Sequence, residues 1–170
     1  MRHILTSIAL VILLLPSVAL GEVVTIDDLV KRDGLHYKKF TNVPFTGKTT
    51  GKEQGSFRNG KKDGPWIYYH DNGQLRLKET LKNGKKDGPW IYYHDNGQLN
   101  KEVTLKNGVK DGPWVSYHRN GQLNIKGTYK DGKPDGPWVS YHDNGQLNKE
   151  VTLKNGVKDG PWVSYHRNGQ

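Results

Sequence analysis

The chain has 170 residues, no cysteine, a formal charge of +9 and 33% hydrophobic residues. Residues 1–21 hold 14 of the apolar residues, so beyond them only 42 of 149 positions are apolar. That excludes a large aliphatic core and a disulfide framework, and leaves stability to regular, repeated packing.

The first element is a targeting segment. Arg2 and His3 precede an apolar run, Ile4 to Leu15, interrupted only by Thr6 and Ser7. Pro16 ends the run, and Ser17, Ala19 and Gly21 supply the small residues a secretory peptidase accepts. Residues 1–21 are read as a cleavable signal peptide, cut near Ala19 or Gly21. The run is about 12 residues long, short of the ~20 that span a bilayer, so the mature chain is expected to carry no transmembrane span. Export implies a periplasmic or extracellular location and a mature charge of +8 once Arg2 is lost.

Residues 22–58 read as a β capping module. Asp33-Gly34 is a hairpin turn, and Pro44-Phe45-Thr46-Gly47-Lys48 is a strand start.

Residues 59–170 form five repeats of 24 residues, the last incomplete. Asp-Gly-Pro-Trp recurs with its indole at Trp66, Trp90, Trp114, Trp138 and Trp162, and Asn-Gly-Gln recurs at the same interval. A second turn pair sits at Asn59-Gly60, Asn83-Gly84, Asn107-Gly108, Asp131-Gly132 and Asn155-Gly156. Residues 93–122 are identical to residues 141–170, so likeness between copies partly reflects recent duplication. Each repeat reads as two strands: Trp90–His94, a turn at Asn96-Gly97, then Leu99–Leu105. A Gly-rich connection, with Pro just before the first strand, leads to the next Trp. The expectation is an all-β fold: an elongated, twisted single sheet of β-hairpin repeats, with ten strands spanning roughly 45 Å. A two-residue Asn-Gly turn places Trp90 opposite Val103, Tyr92 opposite Lys101 and His94 opposite Leu99. Ile91 and Tyr93 then fall on the other face, opposite Glu102 and Asn100. The five tryptophans are taken as the structural repeat core.

The repeats resemble the bacterial MORN-repeat variant (MORN_2 type), whose Gly-x-Trp-x-x-Tyr-x-x-Asn-Gly-Gln-Leu pattern stands at residues 112–123, with its following Tyr and turn at 129–133. The lead-in, Leu29 to Lys39 and Val43 to Lys48, resembles that of YwqK-type antitoxin-like MORN proteins. The resemblance implies a β-hairpin repeat fold, no catalytic motif, and an antitoxin-like role that sits poorly with an export signal.

Candidate chemistry is sparse. His70, His94, His118, His142 and His166 recur at 24 residues, which sets them on the order of 10 Å apart, too far to share one metal ion. Ser116, His118 and Asp111 lack the surrounding loop of a hydrolase, and the Ser slot holds Tyr68 and Tyr92 in the first two repeats. The Asp-Gly spacing fits neither an EF-hand nor a calcium roll. Charge is spread thinly, between −1 and +3 per repeat, unlike a nucleic-acid groove. The reading is therefore a non-enzymatic protein with no metal, no cofactor and no nucleic-acid partner. Its candidate binding stripe is Tyr69, Tyr93, Tyr117, Tyr141 and Tyr165, an amphipathic row suited to a protein partner. The alternative is peripheral association with anionic lipid or glycan at the cell envelope through Lys-rich edges. The chain stops at Gln170, directly after a turn where earlier repeats continue into a return strand, and a truncated reading frame is expected.

Overall fold

The computed structural model describes residues 21–170. The expected signal segment, with Ala19, lies outside the described residues; Gly21 is the first of them. The strands in chain order are β1 (Glu22–Thr25), β2 (Leu29–Arg32), β3 (Leu35–Lys38), β4 (Gly47–Thr50) and β5 (Glu53–Arg58). The repeats follow as β6 (Lys61–Tyr69), β7 (Leu75–Lys82), β8 (Lys85–Tyr93), β9 (Leu99–Lys106), β10 (Val109–Tyr117) and β11 (Leu123–Lys130). Then come β12 (Lys133–Pro134), β13 (Gly136–Tyr141), β14 (Leu147–Lys154) and β15 (Val157–Ser164). Thirteen of them form one open sheet in the order β1-β4-β5-β6-β7-β8-β9-β10-β11-β13-β14-β15, with β12 beside β11. From β4 onward every pairing is antiparallel, while β1 joins β4 in parallel. The β2–β3 hairpin stands apart from the sheet. No helix among the described residues is long and apolar enough to cross a membrane.

The expected single sheet of hairpin repeats is what forms. The two turn types, however, exchange roles. At Asn83-Gly84 both residues have positive φ (51° and 78°), and Lys82 pairs directly with Lys85. This pair is the two-residue hairpin, with the backbone twist that suits the flanking strands. At Asn96-Gly97 only the glycine is left-handed, at 83°. There the Gly97 amide donates to the His94 carbonyl and the His94 amide donates to the Gln98 carbonyl (2.9 and 2.7 Å). That longer loop corrects the expected register at its end: Trp90–Val103 and Tyr92–Lys101 pair as expected, but Tyr93 faces Leu99 rather than Asn100. The extra residue on β9 is absorbed by a bulge.

The proline placement is corrected too. Asp-Gly-Pro lies within the first strand of the first, second, third and fifth repeats, not before it, and in the fourth Asp135 separates β12 from β13. Between the Lys110–Leu105 and Trp114–Val103 pairs, three residues of β10 stand against one of β9. Gly112, at φ 115°, turns this bulge, and Pro113 sits where the ladder toward β9 is interrupted.

The core lies on the face that carries Trp66, Tyr68, Leu77, Leu81, Trp90, Val103 and Leu105, joined by Leu29, Phe45 and Phe57 from the N-terminal segment. That segment closes over the first repeat through backbone bonds: His36 N–H to Gly60 O, Phe45 N–H to His36 O, and Gly60 N–H to Phe45 O, all 2.7–2.9 Å. Phe57 meets Trp66 edge to face at 5.0 Å.

Candidate binding face

The repeated polar residues of the turns are used between repeats. Along one edge, the Nε2–H of His70, His94, His118 and His142 donates to the carbonyls of Tyr93, Tyr117, Tyr141 and Tyr165 (2.9–3.2 Å). The amides of Asn72, Asn96, Asn120 and Asn144 donate to carbonyls of the next turn at 2.7–2.9 Å. Arg119 and Arg167 meet Asp95 and Asp143 of the preceding repeat, and the Arg119 pairing lowers the pKa of Asp95. Along the opposite edge, Asp63, Asp87 and Asp135 accept from the backbone N–H of Asn83, Asn107 and Asn155 (3.0–3.3 Å). The histidine row is thus a set of staples between successive turns. The Ser116, His118 and Asp111 grouping is not brought together: Ser116 is buried with its Oγ unpartnered, and the His118 Nε2 is committed to Tyr141.

The tyrosine stripe lies in register with a row of leucines. Tyr69, Tyr93, Tyr117 and Tyr141 stand opposite Leu75, Leu99, Leu123 and Leu147, and all are half-buried. Tyr165, also half-buried, follows β15.

The tryptophans form a gradient. Trp66 is 0% and Trp90 6% exposed, Trp114 and Trp138 are half-buried, and Trp162 is 50% exposed. The residue two positions on explains much of the change. Tyr68 and Tyr92 flank their indoles at 6.0 Å, whereas the third, fourth and fifth repeats place Ser116, Ser140 and Ser164 there. Lys62 and Lys86 also lie over Trp66 and Trp90, at 4.0 and 3.8 Å. In the fourth repeat that slot is Pro134. A shallow apolar trough therefore opens beside Trp138, lined by Ile125, Ser140, Lys149, Val151 and Leu153. Gly127 supports the Trp138 ring from below, since a Cβ there would stand 2.3 Å from it. The Trp138 indole N–H is buried and, like those of Trp66 and Trp90, has no acceptor among the described residues. A lysine and an aromatic wall thus border an apolar floor, the composition of a small recognition pocket.

Beneath the N-terminal end of the same face lies a polar cluster. Glu79 replaces the valine found at Val103 and Val151, and stands between Trp66 and Trp90. It is 6% exposed, accepts from the Tyr68 hydroxyl, and has an unpartnered Oε2. Lys62 donates to Tyr68 and Glu53 at 3.0 and 3.2 Å. Burial pushes the Glu79 carboxyl above its ordinary range, and burial with the Glu79 contact pushes the Tyr68 hydroxyl up.

Four stretches of 22 residues, 62–83, 86–107, 110–131 and 134–155, match the MORN repeat variant profile. They cover 88 of the 170 residues. The chain belongs to the MORN repeat variant family. No curated protein matches it significantly. MORN repeats are non-enzymatic modules that bind proteins or membranes. In this MORN protein the profile takes in the β-meander from β6 to the end of β14. The sequence reading placed the binding stripe on tyrosine. It overlooked the Trp-face trough, although Tyr68 and Tyr92 against Ser116 and Ser140 was the legible signal.

Proposed function

We propose that this MORN protein is an exported, non-enzymatic surface that grips a protein partner in the trough beside Trp138. The observation that carries the reading is the change along one face, from tryptophans shielded by tyrosine to tryptophans flanked by serine. Aromatic anchors in partly enclosed pockets dominate protein recognition. Residues 1–21 act as the export signal in this reading, and residues 22–58 as the cap that closes the first repeat. The antitoxin-like resemblance of the lead-in makes an exported toxin one class of partner.

The test is capture from the cell's own envelope fraction with wild-type protein and Ser140→Tyr. The tyrosine reproduces the flank seen at Tyr68 and fills the trough. Loss of the captured band with unchanged thermal stability supports the reading. Equal capture by wild type and Ser140→Tyr refutes it. Processing of the chain before Glu22 on expression tests the export step.

A further inference from the structure

The loop between β3 and β4 carries an unusual residue. The Thr41 backbone N–H donates to the Lys38 carbonyl at 3.1 Å, closing a four-residue turn. Phe40 is the third residue of that turn and has φ 65°. This is the position that glycine or asparagine fills in type II turns, because a Cβ is strained there. The turn is not a loosely held tip. The Thr41 hydroxyl also donates to the Lys38 carbonyl at 2.9 Å, and the Arg32 guanidinium donates to Thr41 O and to Asn42 Oδ1. Tyr37 bridges Pro44 across its base. The phenyl ring is fully exposed, and Val43 is 74% exposed three residues on. The chain therefore holds a large aromatic in a costly backbone conformation and leaves its side chain in water.

We infer that this loop is a membrane-docking tip: Phe40 and Val43 enter the interfacial layer of a bilayer rich in anionic lipid. Three features select a bilayer over a protein pocket. The apolar surface is two projecting side chains, far below the ~800 Å² each partner contributes to a standard protein interface. Lys38 and Lys39 immediately precede the ring, and Arg32 is tied to its far side. Ammonium groups there would lose water in a pocket but reach headgroup phosphates at a membrane surface. No acid lies between Lys38 and Lys52, although Glu22 contacts Lys38 and Asp28 lies near both lysines. The apolar tips supply most of the attraction, and the cations add a preference for negative lipid. The loop lies outside the matched repeats and apart from the trough, so it stands independently of the proposed protein site.

The experiment is co-sedimentation with vesicles of phosphatidylcholine and phosphatidylglycerol at 7:3, against pure phosphatidylcholine. The full chain and the chain from Gly21 are measured side by side, so that the apolar run Ile4–Leu15 is not mistaken for the loop. Phe40→Gly is the decisive variant, because glycine suits the turn while removing the tip. Wild type is expected to sediment with the mixed vesicles and more weakly with the neutral ones. Phe40→Gly is expected to bind at least tenfold more weakly while melting at the same or a higher temperature. Undiminished binding by Phe40→Gly overturns the inference, as does absence of wild-type binding to either vesicle, which would point to a protein pocket instead. A lower melting temperature for Phe40→Gly also overturns it, by showing that the ring serves the fold.

Discussion

If burial along the Trp face sets stability, equivalent tryptophans will not cost the same to remove. Trp66 is 0% exposed, packs edge to face on Phe57 at 5.0 Å and lies under Lys62 at 4.0 Å. Trp66→Ala removes a fully buried indole and leaves a cavity, which costs about 3–5 kcal/mol. Trp162 is 50% exposed, and among the described residues β15 pairs only with β14. Half of the transfer is already forfeited there, and water fills the space left behind. Trp162→Ala should cost about 1–2 kcal/mol. Urea denaturation followed by far-UV circular dichroism reads the difference without relying on tryptophan emission. The midpoint should fall by at least twice as much for Trp66→Ala as for Trp162→Ala. Equal losses would refute the idea that shielding by the cap and by Tyr68 sets the gradient. Because repeats contact only their neighbours, the Trp162→Ala loss should also appear as early fraying of β14 and β15 in hydrogen exchange.

Two glycines separate steric from conformational cost. A Cβ on Gly55 would lie 2.2 Å from the Trp66 ring, so Gly55→Ala should destabilise by about 1–3 kcal/mol through overpacking. Gly73 has open space but φ 83°, so Gly73→Ala should cost about 1 kcal/mol and Gly73→Asn less, both read from thermal melts. His94→Ala deletes one staple to Tyr117, and should lower stability by about 1 kcal/mol and speed amide exchange at the adjoining turn. Glu79 binds protons more readily folded than unfolded, where its value is 4.5. Stability should therefore fall as pH rises from about 4.5 through the raised folded value, and Glu79→Gln should flatten that slope in denaturant titrations across the acid range. An unchanged slope in Glu79→Gln would show that other groups govern the acid limb.

Much of the fold was legible because turn chemistry is local. Asn-Gly and Asp-Gly pairs at a fixed interval mark hairpins through the φ they require, and Asp33-Gly34 does so in the cap. The pairing of Trp90 with Val103 followed from strand alternation alone. Which Asn-Gly pair makes the two-residue turn was not legible. Both share the dipeptide, and only Asn83 adopts the left-handed conformation, whereas Asn96 turns its side chain to the Gln98 amide and to Arg119 of the next repeat. The bulges followed from that choice. They moved Tyr93 onto Leu99.

The sequence by itself determined the period, the all-β class and the family, since all three rest on residues close together in the chain. Only the tertiary structure decided the roles of the repeated side chains. Residues 20 to 24 apart meet only once strands stack, and there histidine became a staple and aspartate a turn acceptor. The trough beside Trp138 likewise depends on what fails to cover a ring, and the exposure of Phe40 on what surrounds a loop. Both are matters of neighbours brought together by folding.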